Sequence, residues 1–166
     1  MAHCSNTNCT AATITSLDTT GDVGQHTSIT IGADGLGLIS YYDDTNDILK
    51  VAHCSNVNCT ASTISTLDDG VNMGQHTSIT IGADGLGLIS YHRVTGNDLN
   101  VTHCSNFVCD AATITTLDTA GDLGSYTSVT IGADGLGLIS YYDATNADLK
   151  VAHCDNAFCV PYFRRR

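Results

Sequence analysis

Glutamate and tryptophan are absent from this chain, proline occurs once, and only six residues are cationic. Each absence excludes something. All 17 acidic residues are Asp, so a common general acid, Glu, is missing. Recurrent Thr, Ser, Ile and Val with 16 Gly oppose long helices and favour strands joined by turns, so the chain reads as all-β. No apolar run reaches the roughly 18 residues of a membrane-spanning helix, and Met1 is not followed by the charged and apolar regions of a leader. Neither anchor nor leader is expected. Lys50, Arg93 and Lys150 are the three cations of residues 1–163 against 17 Asp, a net charge of −14. Such a body repels phosphate backbones, which argues against nucleic acid as a partner. Arg164, Arg165 and Arg166 read as a solvated basic tail.

What is present is a repeat. The 166 residues suit one domain, and Thr27–Tyr41 (TSITIGADGLGLISY) returns unchanged at Thr77–Tyr91 and with one change, Val129, at Thr127–Tyr141. MAHCSNTNCT at residue 1 returns as VAHCSNVNCT, VTHCSNFVCD and VAHCDNAFCV at 51, 101 and 151. The chain is thus one repeat domain over 1–166, with units 1–50, 51–100 and 101–150 and a partial fourth unit, 151–166.

Punctuation divides each unit into four strands. HTSITIG alternates, with Ile29 and Ile31 on one face and Ser28 and Thr30 on the other, and ADG makes a tight turn into LGLISYY. A turn at Asp43–Asp47 leads to ILKVAHC, and SNVN leads to CTASTISTL. The period is a four-stranded antiparallel meander of the size of a β-propeller blade, which is stable only when stacked on neighbours.

On these motifs the chain resembles bacterial secreted proteins with tandem blade-like repeats, over essentially its whole length. The resemblance implies propeller-like blades and no catalytic set, because the Ser-x-Asp-x-Gly-x-Thr-Trp box of sialidase-like propellers and the Trp-Asp pair of WD repeats are both absent. The alternative fold is a β-trefoil or β-prism closed by three repeats.

Eight cysteines form four Cys-x4-Cys pairs, Cys4 with Cys9, Cys54 with Cys59, Cys104 with Cys109, and Cys154 with Cys159. Each flanks the loop between third and fourth strands, where a disulfide can bridge the hairpin mouth. Zinc is the competing reading, but the preceding His3, His53, His103 and His153 point to the opposite strand face. Disulfides imply an oxidising, extracellular or cell-surface location. The same four histidines continue the apolar face of Leu49 and Val51, as core residues do.

In a meander alternate turns share one edge of the sheet, so the loop after the second strand meets the linker between units. That edge gathers Tyr42, Asp43, Asp44, Asn46 and Asp47 with Asp22, Gln25 and His26. Tyr beside Asp and Asn suits a sugar, whose apolar face stacks while its hydroxyls find polar partners; the same residues are also ordinary turn formers. The equivalents are Tyr142 and Asp143 in the third unit and His92 and Arg93 in the second, with His76 matching His26. Calcium is a weaker option: Asp18, Asp22, Asp43, Asp44 and Asp47 offer oxygen ligands, but Arg93 breaks the pattern and no loop fits an EF-hand frame. No other cofactor is expected. Without a recognisable nucleophile and base, the chain reads as a non-enzymatic protein for multivalent, lectin-like glycan binding. The alternatives are a structural self-assembling subunit and a glycosidase-like propeller enzyme. Self-association into a ring or filament is also expected, because the repeat is cut within a unit and Pro161 interrupts the last strand.

Overall fold

The computed structural model describes residues 1–160, so Pro161 and Arg164–Arg166 lie outside the described residues. Thirteen strands are present: β1 (Ala2–Cys4), β2 (Ala12–Ile14), β3 (Val23–Ile31), β4 (Gly37–Asp43), β5 (Ile48–Cys54), β6 (Ser62–Asp68), β7 (Met73–Ile81), β8 (Gly87–Arg93), β9 (Asp98–Cys104), β10 (Ala112–Asp118), β11 (Leu123–Ile131), β12 (Gly137–Asp143) and β13 (Asp148–His153). They pair only with chain neighbours, as β1-β2, β3-β4-β5-β6, β7-β8-β9-β10 and β11-β12-β13. The all-β expectation and its four-stranded antiparallel unit hold. A closed trefoil or prism does not form, because the sheets stack in a row and do not close on one another.

The sheets are held by two copies of one joint. Leu49 and Val51 of β5 and Leu38 of β4 are covered by Met73, Ile79, Ile89 and Tyr91 of the second sheet. Leu99 and Val101 of β9 with Leu88 are covered in the same way by Leu123, Val129, Ile139 and Tyr141 of the third. Alternation along each strand makes this possible, since a sheet in a stack must be apolar on both faces. Buried hydroxyls add direction: the Thr77 hydroxyl donates to Ser40 Oγ at 2.9 Å, and the Ile79 amide donates to Ser28 Oγ at 3.1 Å. The Val129 amide donates to Ser78 Oγ in the next joint. Two of these cross-links run between β3, β7 and β11, and the third ties β7 to β4.

Each pair of cysteines is bonded, with Cα separations of 4.9, 4.9, 4.9 and 4.7 Å. Closing so small a loop contributes about 2 kcal/mol on the chain-entropy account. No free cysteine remains among the described residues, which marks an oxidising environment. Of the four histidines expected in the core, His53 and His103 are buried, whereas His3 is half-buried and His153, on the uncovered last sheet, is exposed. The Nε2 atoms of His53, His103 and His153 lie 2.8 Å from Asp34, Asp84 and Asp134 in the ADG turns. This ties the third strand to the turn between the first two.

The joint sets a demand on β7. Gly74 has φ +102°, and a Cβ there would sit 2.8 Å from the Leu49 Cα, whereas at Gly24, with φ +90°, a Cβ would meet nothing within 4 Å. The backbone strain of a substitution is shared, so the pair isolates the packing contribution. We predict that Gly24→Ala costs about 1 kcal/mol and Gly74→Ala about 1–3 kcal/mol more, measured by urea unfolding; equal losses would show that the joint is loose.

Candidate functional site

The edge built from the second turns and the linkers is where the polar residues gather. The Asp44 amide donates to the Asp22 carbonyl, the Asp22 amide to Thr45 Oγ1, and the Met73 amide to the Asp47 carbonyl, which ties each linker to the neighbouring turn. Against this frame the predicted site residues divide into two groups.

One group is structural. Asp43 is fully buried, accepts from the Asn46 amide and side chain, and lies 3.0 Å from Lys50. Lys50 also donates to Asp18 at 2.9 Å, and Asp18 accepts from the Tyr41 hydroxyl at 2.8 Å. Burial alone would raise the Asp18 and Asp43 carboxyls, but donors from Lys50, Tyr41 and Asn46 outweigh it and hold both below the ordinary range. Asp143, Lys150, Asp118 and Tyr141 repeat the cluster in the third unit. The Tyr42 hydroxyl donates to Asp47 at 2.6 Å, and burial with that carboxylate pushes the phenol up to about 12. The carboxylates considered for calcium at Asp18 and Asp43 thus already face a lysine ammonium. Among the described residues no three His, Cys or acidic groups are arranged to hold a metal ion.

The other group faces outward. In β3 the residues Gln25 to Ser28 take three steps while their partners on β4, Tyr42 to Ser40, take two, which is a bulge. It recurs at Gln75–Ser78 and Ser125–Ser128. The residue it turns out has positive φ in each case: His26 at 53°, His76 at 54° and Tyr126 at 55°. Their rings form a row across all three sheets, with His26–His76 and His76–Tyr126 centroids each 4.5 Å apart. Tyr42, His92 and Tyr142 flank this row at 6.3, 6.2 and 6.4 Å. Tyr142, whose counterpart of Asp47 is Ala147, lines a hollow with Tyr126, Tyr141 and Leu149.

The second unit is specialised by matched changes. Where the first unit has Asp43, Lys50 and Ile48, the second has Arg93, Asn100 and Asp98, so an arginine arrives as the lysine leaves and an aspartate appears 3.6 Å from it. His92 is buried with neither ring nitrogen hydrogen-bonded, and its Nε2 is 3.8 Å from the Asp122 carboxylate of the next linker. Sequence reasoning singled out His26, His76, His92, Arg93 and Tyr142 but missed the row and the approach of Asp122 to His92. It also missed the tyrosine–aspartate bridges, although Leu-Asp before every linker and Tyr at 41, 91 and 141 were visible signals.

No family model matches the chain, and no curated protein matches its sequence. Solved structures do resemble it. An α-L-arabinofuranosidase from Lactobacillus brevis aligns with TM-score 0.50 and 14% identity over 82% of this chain and 51% of that one. An endo-arabinase from Bacteroides thetaiotaomicron aligns with TM-score 0.49 and 16% identity over 84% of this chain and 56% of that one. The chain spans about half the length of the structures it resembles, and at such identity the likeness is one of fold. The comparison nevertheless corrects the lectin-like expectation: the arabinofuranosidase that the chain resembles in fold points to the glycosidase-like alternative instead.

His76 and His92 titrate in a predictable direction. Burial pushes His76 and His92 below their ordinary value of 6.5; charge on His26 and His92 adds to this at His76, while Asp122 and Asp98 oppose it at His92. The unfolded chain therefore binds these protons more readily, so the stability they contribute is present above about pH 6.5 and is lost as pH falls through it. The melting temperature is expected to fall between pH 7 and 5, and to fall less in His92→Gln. An unchanged slope in that variant would show that His92 is as easily protonated in the fold as outside it.

Proposed function

We propose that the chain is part of a propeller-like glycoside hydrolase and acts on arabinofuranose-containing glycans. In this reading the three sheets are blades, β3, β7 and β11 lie on the axis side, and the His26–His76–Tyr126 row is the floor on which sugar rings stack. That row is the observation carrying the proposal, because three rings at equal spacing on neighbouring blades match successive sugars better than a turn-forming role does. The fold likeness to an arabinofuranosidase supports the substrate class.

The chemistry follows from which acids are free. Asp18, Asp43, Asp118 and Asp143 are held as anions by their donors inside the structural clusters, so they do not deliver protons. Asp122 is different: its side chain is half exposed and stands beside the unpartnered His92. Asp122 takes the proton from a water whose oxygen attacks the anomeric carbon, while the bond from that carbon to the leaving oxygen breaks and the leaving oxygen keeps the electron pair and, in a glycan, takes up a proton from solvent water. His92 positions the carboxylate.

An aryl substrate isolates these parts, since 4-nitrophenolate leaves without being protonated. Release of nitrophenolate from 4-nitrophenyl α-L-arabinofuranoside above the buffer blank is expected. Asp122→Asn should lower kcat by about 10²-fold or more. Tyr126→Asn, chosen because Asn tolerates positive φ, should raise KM by about tenfold through lost stacking. No release between pH 4 and 8, or full activity in Asp122→Asn, would overturn the proposal.

A further inference from the structure

The two internal joints have a third, unfilled counterpart whose halves lie on opposite sides of the molecule. Leu149 and Val151 of β13 are 79% and 58% exposed, whereas their equivalents Leu49 and Val51 are both at 0% under the next sheet. On the far side Ile29 and Ile31 of β3 are 50% and 61% exposed, whereas Ile79, which covers Leu49 and Val51, is at 6%. The fit is visible in the glycines as well. A Cβ added at Gly74 or Gly124 would lie 2.8 or 3.0 Å from the Cα of Leu49 or Leu99, while one at Gly24 would face open space. Leu149 is the residue that would fill it.

The edges match in the same way. Among the described residues β13 has no strand on its second side, while β9 is paired there by β10, with Thr113 opposite His103 and Thr116 opposite Asn100. Residues 12–18, ATITSLD, differ from 112–118, ATITTLD, by one hydroxyl-bearing residue, yet only Ala12–Ile14 are paired as strand, and those with the three-residue β1. All three β2 residues and most of β1 are exposed.

We infer that a second copy of this chain docks head to tail, laying its β3 face on the β13 face and adding its residues 12–18 to β13 as the fourth strand. Thr13 of the second copy then stands opposite His153, and Ser16 opposite Lys150, in the register of β9 with β10. β1 gives up three paired positions, and the β13 edge gains six. His26 of the second copy comes beside Tyr126, so the ring row continues across the contact. The contact is heterologous, since each copy offers one half and needs the other. An unpaired, apolar edge of this kind is a template for strand addition. The inference stands on the joint geometry and holds whether or not the chain hydrolyses glycosides.

Two variants on already exposed positions test it without touching the internal joints: Leu149→Asp spoils one half and Ile29→Asp the other. In sedimentation equilibrium the wild type is expected to grow with concentration into multiples of 17.4 kDa. Each variant alone should associate at least about 100-fold more weakly, because its carboxylate would be buried unpaired. Mixed in equal amounts, the variants should form a particle of two chains and no larger, since the intact half of one meets the intact half of the other. Hydrogen exchange at residues 15–18 should slow in the wild-type assembly. A wild type that stays at one chain at every concentration, variants that assemble as it does, or a mixture that does not pair would each overturn the inference.

Discussion

Close contact between a bulged first strand and the third strand of the sheet before it governs this molecule. Gly74 against Leu49, and Gly124 against Leu99, let β7 and β11 come near enough for side-chain hydroxyls to reach backbone amides across the joint. Everything at the polar edge inherits its spacing from that approach. The rings of His26, His76 and Tyr126 can stand 4.5 Å apart only because their strands do not drift apart toward this end. The bulge serves both purposes: it bends the strand onto its neighbour and turns one ring outward.

Much of this fold was legible because the repeat supplies its own controls. Alternation in TSITI, the ADG turn and paired cysteines each recur three or four times, so the strand order and the cystine pairing followed from local patterns. The candidate site was harder to read for a physical reason. Tyr42 and Asp43 looked like ligand groups by composition, but composition does not report that Asn46 of the same turn and Lys50 of the neighbouring strand converge on Asp43. The bulge was equally hidden, since it depends on a non-glycine residue accepting positive φ under tertiary constraint. What the sequence did reveal was the departure of the second unit at His92 and Arg93, and the structure explains it as charge compensation around Asn100 and Asp98.

The tyrosine–aspartate bridge links these levels. Asp68 leaves β6 at the end of the first sheet and accepts from the Tyr91 hydroxyl of the second at 2.6 Å, as Asp18 and Asp118 do for Tyr41 and Tyr141. A buried phenol needs an acceptor, and a carboxylate entering the joint needs a donor. Each satisfies the other, and burial with the adjacent negative charge pushes the Tyr141 phenol up to about 12. The bridge fixes where each linker begins, and so where the next first strand can start.

Near-identity of the units also creates a topological problem for folding. TSITI and GLISY are the same at 27–41 and 77–91, so over these residues β3 would form as good a ladder with β8 as with β4, and only Tyr42 against His92 and Asp43 against Arg93, at the strand ends, distinguish the two partners. Away from those ends the distinction is made by chain length. Gly32–Leu36 is closed by its own backbone hydrogen bonds and delivers β4 beside β3 at small entropic cost, whereas the exchanged pairing must close a loop through four further strands. Discrimination between correct and exchanged strands is therefore kinetic and local, and it rests on the tightness of three short turns.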